Sequence, residues 1–336
     1  MNSVNFICKK RRGSIALLFF SLAILPSTSK AQVDYSVVQV KEESGSDLTK
    51  ITNDIDCVAM PIVKRNNKGV EWFTNRILDT SPDSKTIAFL SIRNGTVNIY
   101  TKDLNNPGSS VQRTNKQTVY DFSYSPDGKY ICFASAEGNN MNQIFQTSAT
   151  SGYICRQITS DKTDYSPVYS PDMKNIFFTR MEGNLAYLWG YNVDSKTLSS
   201  YAKGMNPCVA NEPNCLLYTR FNNMGRGEIW RFNYATGAED CIVSDPKRSF
   251  STPSLSPDGK WIVMVGTNML MNGTKPYYDT DIFACHTDGT QLIQLTYHAA
   301  DDLSPVWSRD GKYIYFISQR GSASATANIW RMKFTH

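Results

Sequence analysis

A fourteen-residue block occurs six times along the chain, and nothing else in the sequence restricts the fold so tightly. It reads LDTSPDSKTIAFLS from Leu78, FSYSPDGKYICFAS from Phe122 and PVYSPDMKNIFFTR from Pro167. The later copies read PCVANEPNCLLYTR from Pro207, PSLSPDGKWIVMVG from Pro253 and PVWSRDGKYIYFIS from Pro305. A period near 45 residues, built from short apolar runs and turn residues, is the mark of propeller blades. Within each block a short strand leads into Ser-Pro-Asp-Gly-Lys. There Pro presets φ, Asp bonds its own backbone and Gly accepts positive φ. The second strand is apolar on both faces, as a sheet sandwiched between two others requires.

A third strand follows each block: Asn98-Ile-Tyr100, Gln143-Ile-Phe145, Tyr187-Leu-Trp189, Glu228-Ile-Trp230, Asp281-Ile-Phe283 and Asn328-Ile-Trp330. A fourth is clearest in Cys155-Arg-Gln-Ile-Thr159 and Gln291-Leu-Ile-Gln-Leu-Thr296. The expected fold is all-β: a six-bladed β-propeller of four-stranded antiparallel blades over residues 78–336. The sixth unit stops after its third strand. Leu48-Thr-Lys-Ile-Thr52 echoes the fourth strands, so the ring is expected to close with an N-terminal strand at about 46–52. Val58 to Lys64 is a rival for that place, and residues 53–77 exceed what an inter-blade connection needs. Residues 32–77 form the N-terminal segment that carries the closing strand.

Residues 1–31 read as a cleaved signal peptide. Lys9, Lys10, Arg11 and Arg12 precede an apolar run from Ile15 to Pro26, and Ser29-Lys30-Ala31 supplies the small-x-small cleavage pattern. Twelve apolar residues fall short of a membrane span, so no span is expected after cleavage. The whole chain has 35 basic and 30 acidic residues; the leader takes five basic and no acidic ones, leaving 30 of each. A neutral mature chain lacks the basic surplus that a nucleic-acid binder uses to displace counterions, so no nucleic-acid partner is expected. The expected location is periplasmic or secreted, and the expected state is a monomer.

The blocks SPDGKYICF, SPDGKWIVM and SRDGKYIYF, each followed by an Ile-aromatic strand, resemble the WD-like propeller repeats of the TolB family over roughly residues 75–336. The resemblance implies a six-bladed ring in a Gram-negative envelope. That family carries an N-terminal α/β domain, and here only about forty residues separate the leader from the first block. The fold carries over; the Tol partnership does not follow from it.

Chemistry-bearing groups are sparse. There is no Gly-x-Ser-x-Gly elbow, phosphate loop or dinucleotide fingerprint. His286 reads as a strand residue. His298 stands with Asp301 and Asp302 on the connection into the sixth block. Corresponding connections carry Asp54, Asp121, Asp161 and Asp164, and propeller geometry gathers them at one mouth of the channel. Such a ring suits a divalent cation or a basic peptide; turn capping explains the same residues equally simply. Otherwise no cofactor or metal is expected.

A second candidate contact is the loop from Asn268 to Tyr278, an exposed insertion in the fifth unit, with Met269, Leu270, Met271, Tyr277 and Tyr278, residue types enriched at protein contacts; the alternative is that the loop folds back over its own blade. Cys208 and Cys215 lie on the two arms of the fourth hairpin and are a disulfide candidate, depending on the turn between them. The expected role is a non-enzymatic scaffold for an envelope protein or peptide. The alternative is a carbohydrate-active lyase or hydrolase using a cation or a His–carboxylate site at the mouth.

Overall fold

A computed structural model describes residues 48–336 except 66–70, 107, 117, 138–140, 152–154, 161, 211, 273–274, 323–325 and 336. The leader (1–31) and residues 32–47 lie outside the described residues. Among the described residues the chain forms six four-stranded antiparallel sheets and one two-stranded hairpin. No helix among them is long and apolar enough to cross a membrane.

Each sheet runs outward from an inner strand on the channel. In the first blade the strands are Leu78–Thr80, Thr86–Ser91, Asn98–Asp103 and Val111–Gln112. The fifth has the longest, Trp261–Asn272 and Lys275–His286. The turn after the inner strand is rebuilt five times with the same bonds. Ser81, Ser125, Ser170, Ser256 and Ser308 each donate to the Asp two residues on at 2.6 Å. That Asp Oδ1 in turn accepts the amide of the following Lys at 3.0–3.1 Å. The fourth block, ANEPN, has neither residue and keeps its hairpin with Ala210 N donating to Cys215 O at 3.1 Å.

The second strands are buried on both faces, as their continuous apolar character requires. Ile87 to Leu90 and Ile131 to Ala134 are almost wholly inaccessible. The apolar clusters sit between blades: one unites Cys132, Ile144, Tyr169 and Phe178 of blades two and three, another Trp261, Val265, Trp307 and Phe316 of blades five and six. The core is therefore a ring of wedges, each shared by two neighbouring sheets.

Closure uses the N-terminal segment. Thr49–Lys50 pairs antiparallel with the last strand, Thr49 opposite Arg331 and Lys50 opposite Trp330. Ile51 N donates to Ile329 O at 2.8 Å. Thr52 Oγ1 accepts Ile329 N at 2.8 Å. In blades one, two and five the same bond is made by Thr114, Thr159 and Thr296, accepting from Ile99, Ile144 and Ile282 at 2.9–3.0 Å. Thr52 thus does for blade six what those threonines do for their own blades.

The rival segment has another use. Val58 makes single-residue bridges to Ser91 of blade one and Ala327 of blade six. Val63–Arg65 and Glu71–Thr74 pair with each other as the extra hairpin. Residues 53–65 and 71–77 thus belong to a strap that leaves the outer edge of blade six, bridges onto blade one and ends at the channel.

Candidate functional site: the channel and the fifth-blade ribbon

The connections from outer to inner strands share one face with those between second and third strands, because successive strands alternate in direction. Two of the carboxylates expected on that face, Asp164 and Asp302, are spent on arginines. Arg180 Nε and Nη2 donate to Asp164 Oδ1 and Oδ2 at 2.7 and 2.8 Å, a buried bidentate pair, and the guanidinium stacks on Trp189 at 4.6 Å. Arg320 and Asp302, each 0% exposed, form a second buried pair. Burial pushes the Asp302 carboxyl up, and the Arg320 charge opposes it. Asp54, exposed, takes Lys50 at 3.5 Å and the Asn328 amide at 3.2 Å. Asp301 is half-buried. Asp161 lies outside the described residues.

His298 is 2% exposed, and its Nδ1 accepts Ala300 N at 2.9 Å. It is a neighbour of Asp302, but both lie beneath the surface, and Arg320 already engages that carboxylate. Among the described residues no three His, Cys, Asp or Glu side chains are placed to hold a metal.

Asp121 lies deeper than the mouth, in the channel wall. The inner strands carry register shifts beside Tyr165, Met205, Ser251 and Leu303. In these bulges the residue before Pro takes positive φ: Ser166 51°, Asn206 55°, Thr252 50° and Ser304 54°. For β-branched Thr252 that is a strained conformation. A bulge re-aims a side chain, and here the re-aimed groups link blade to blade. Asp121 Oδ2 accepts Ser166 N at 2.7 Å and Ser166 Oγ at 3.1 Å. Ser166 Oγ also meets Asn206 Oδ1 at 3.0 Å. Ile77 N donates to Ser304 Oγ at 3.1 Å, which joins blades one and six. Burial pushes the Asp121 carboxyl up to about 7, against the Ser166 bonds and the nearby Arg76 charge.

The strap ends in this belt. Asn75 accepts Ile62 N at 2.5 Å and donates to Tyr120 O. Arg76 reaches across the ring, its Nη2 donating to Pro253 O at 3.0 Å and Pro207 O at 3.5 Å. Sequence reasoning missed both the belt and Arg76. The belt had a readable signal, because Ser166, Asn206, Thr252 and Ser304 all precede Pro at one block position.

The fifth-blade segment expected as an irregular exposed insertion is instead continuous β-ribbon, with Met269 opposite Tyr278 and Leu270 opposite Tyr277. The inner strand stops pairing at Arg248 with Asn268, and the outer strand pairs no farther than Phe283 with Gln294. Beyond Asn268 the ribbon therefore has two strands and projects from its blade. Leu270 is 38% exposed; Tyr277 and Tyr278 are half-buried.

In the fourth hairpin Cys208 lies opposite Leu217, so Cys215 is its diagonal neighbour, and both thiols are free. The five-residue connection from Ala210 to Asn214 sets that register, and diagonal positions are too far apart to bridge without backbone movement. The opposite face, among the Ser-Pro-Asp turns, carries a cleft of about 590 Å³ between blades two and three, lined by Tyr130, Tyr169, Ile176 and Tyr191.

Architecture and site together define a six-bladed propeller with the Arg76 side chain of its own N-terminal strap reaching across the channel. Residues 74–220 match the family model described as the TolB beta propeller domain. A putative TolB from Agrobacterium tumefaciens superposes with a TM-score of 0.60 at 16% identity, over 79% of this chain and 94% of that one. TolB from Acinetobacter baumannii gives 0.52 at 17%, over 78% of this chain and 65% of that one. An oligogalacturonate lyase solved in complex with manganese gives 0.55 at 10%, over 88% and 95%. At these identities the structural likenesses establish the fold alone.

Proposed function

We propose that the protein is an exported, non-enzymatic propeller that docks a protein or peptide of the cell envelope through the fifth-blade ribbon. The carrying observation is that ribbon: two strands with Leu270, Tyr277 and Tyr278 projecting past the last three-stranded pairing. A two-stranded ribbon is marginal alone, and tyrosines on a rigid hairpin are efficient contact residues because they lose little conformational entropy on binding. The leader-like N-terminus and the TolB-type fold support an envelope location.

The lyase or hydrolase reading needs an acidic mouth open to substrate, and the buried pairs Asp164–Arg180 and Asp302–Arg320 count against it. The test is affinity capture from a native envelope extract with the parent and with Tyr277→Ser/Tyr278→Ser. The reading expects a protein held by the parent and lost by the variant. Equal capture by both removes the ribbon as the docking element.

A further inference from the structure

We propose that the centre of the channel is a guanidinium seat which Arg76 occupies in cis, and that an arginine side chain of a peptide partner enters the mouth by displacing it. The proposal rests on the channel alone and stands whether or not the fifth-blade ribbon docks anything.

Every inner strand is a sheet edge that faces the axis, so its outward carbonyls have no ladder partner. Two of these, Pro207 O and Pro253 O, lie on blades four and five, across the ring from the strap residue that meets them. Asp121 stands in the same wall, fully buried and electrostatically coupled to Arg76, and its Oδ1 has no hydrogen-bond partner. Thr252 Oγ1, at the equivalent position of blade five, is a second buried oxygen without a partner. Buried polar atoms are nearly always satisfied, so two orphan oxygens on one belt indicate a site with unused accepting capacity.

The acceptors offered are two carbonyls, a carboxylate oxygen and a hydroxyl. Such a set suits a planar cation with five N–H donors better than a compact ammonium. Arg76 uses the seat incompletely. Both carbonyl contacts come from one nitrogen, one of them at 3.5 Å. Its backbone is tethered by Asn75 to Ile62 and Tyr120, whereas an arginine arriving on a free peptide carries no such restriction. The strap is then a plug that keeps the seat filled until a better-fitting arginine arrives.

The test uses the purified mature chain and its Arg76→Ala form. The first arm follows thermal unfolding against guanidinium chloride at low millimolar concentration, with sodium chloride balancing ionic strength. Binding to the native state raises the melting temperature by mass action. The expected result is a saturable rise of a few degrees in Arg76→Ala, absent in the parent, absent with ammonium and lost in Arg76→Ala/Asp121→Asn. Should Arg76→Ala fail to fold, Arg76→Gln carries the same measurement.

The second arm measures binding of a fluorescent Gly-Arg-Gly peptide and its citrulline analogue. The expected order is the arginine peptide tightest on Arg76→Ala, at least about tenfold weaker on the parent, and no binding of citrulline; tenfold is 1.4 kcal/mol. Equal affinity of parent and Arg76→Ala refutes cis occupancy. No guanidinium-specific rise, or equal binding of arginine and citrulline peptides, refutes the seat.

Discussion

Removing the carboxylate of Asp56 should damage this ring more than any exposed charge change. Asp56 belongs to the strap and is 3% exposed; its Oδ2 accepts Lys102 Nζ at 3.0 Å, and Lys102 is also 3% exposed. Oδ1 accepts Arg93 Nη2 at 2.8 Å and Ser110 Oγ at 2.7 Å, and Oδ2 also accepts Asn53 N at 3.1 Å. Asp56→Ala leaves the Lys102 ammonium buried with one remaining acceptor, Gly108 O at 2.8 Å. Breaking a buried pair from one side costs about 3–5 kcal/mol because the other charge is stranded. In a domain of this size each kcal/mol is worth slightly under about 2 °C, so the melting temperature should fall by roughly 5–9 °C.

Asp56→Ala/Lys102→Met removes the stranded charge and should recover most of the loss, with a coupling of about 2–3 kcal/mol in the double-mutant cycle. Burial raises the Asp56 pKa, but the bonds from Ser110, Asn53 and Lys102 outweigh it, so the folded value lies below the ordinary 3.8. A depressed carboxyl stabilises the fold above its unfolded pKa, and that contribution disappears as pH falls through the folded value. The gap between parent and Asp56→Ala should therefore be full at pH 7 and should narrow below about pH 4. The measurement is chemical and thermal unfolding of the four proteins across pH. A loss under about 1 kcal/mol for Asp56→Ala, or a double variant as poor as the sum of the singles, refutes the reasoning.

Asp121 has the opposite sign. Its folded pKa is raised to about 7 from 3.8, so its contribution is fully present below pH 4 and is lost as pH rises towards 7. Asp121→Asn should gain on the parent across that window by on the order of 4 kcal/mol at most, read from unfolding free energies at pH 4 and 8; parallel profiles contradict this. For the ribbon, Tyr277→Ser/Tyr278→Ser should melt within about 2 °C of the parent, since the residues project past the three-stranded part of the blade; a larger drop means that they pack on the ring instead of serving a partner.

The blades are legible in the sequence because their signal repeats: one turn chemistry in five blades, one doubly apolar strand, and in four blades one threonine at the end of the fourth strand. Thr52 can be matched to Thr159 by eye, and the bond each makes to a third-strand isoleucine is the same. The mouth misleads because its neutralising partners are not local. Arg180 lies 16 residues from Asp164 and Arg320 lies 18 from Asp302, on strands or connections of varying length. Carboxylates are conspicuous in a sequence; the cations that cancel them are identified only once the sheets pair. The fifth-blade ribbon reads as a loop, whereas its two strands pair as far as Asn272 with Lys275. The strap is opaque because Arg76 finds its acceptors 131 and 177 residues away.

Joining the two ends of the ring is the claim on which the account depends, and a cross-strand disulfide tests it most directly. Thr49 and Arg331 face each other in the closing pair, 282 residues apart in sequence, with Arg331 Nη2 reaching Thr49 Oγ1 at 3.5 Å. Directly opposed residues of an antiparallel pair fall within disulfide reach. Thr49→Cys/Arg331→Cys, oxidised and digested, should yield a peptide cross-linked between the two substituted positions by mass spectrometry, and a monomer more stable than its reduced form. Absence of that peptide, or cross-linking only between molecules, would show that the sixth blade is closed in some other way.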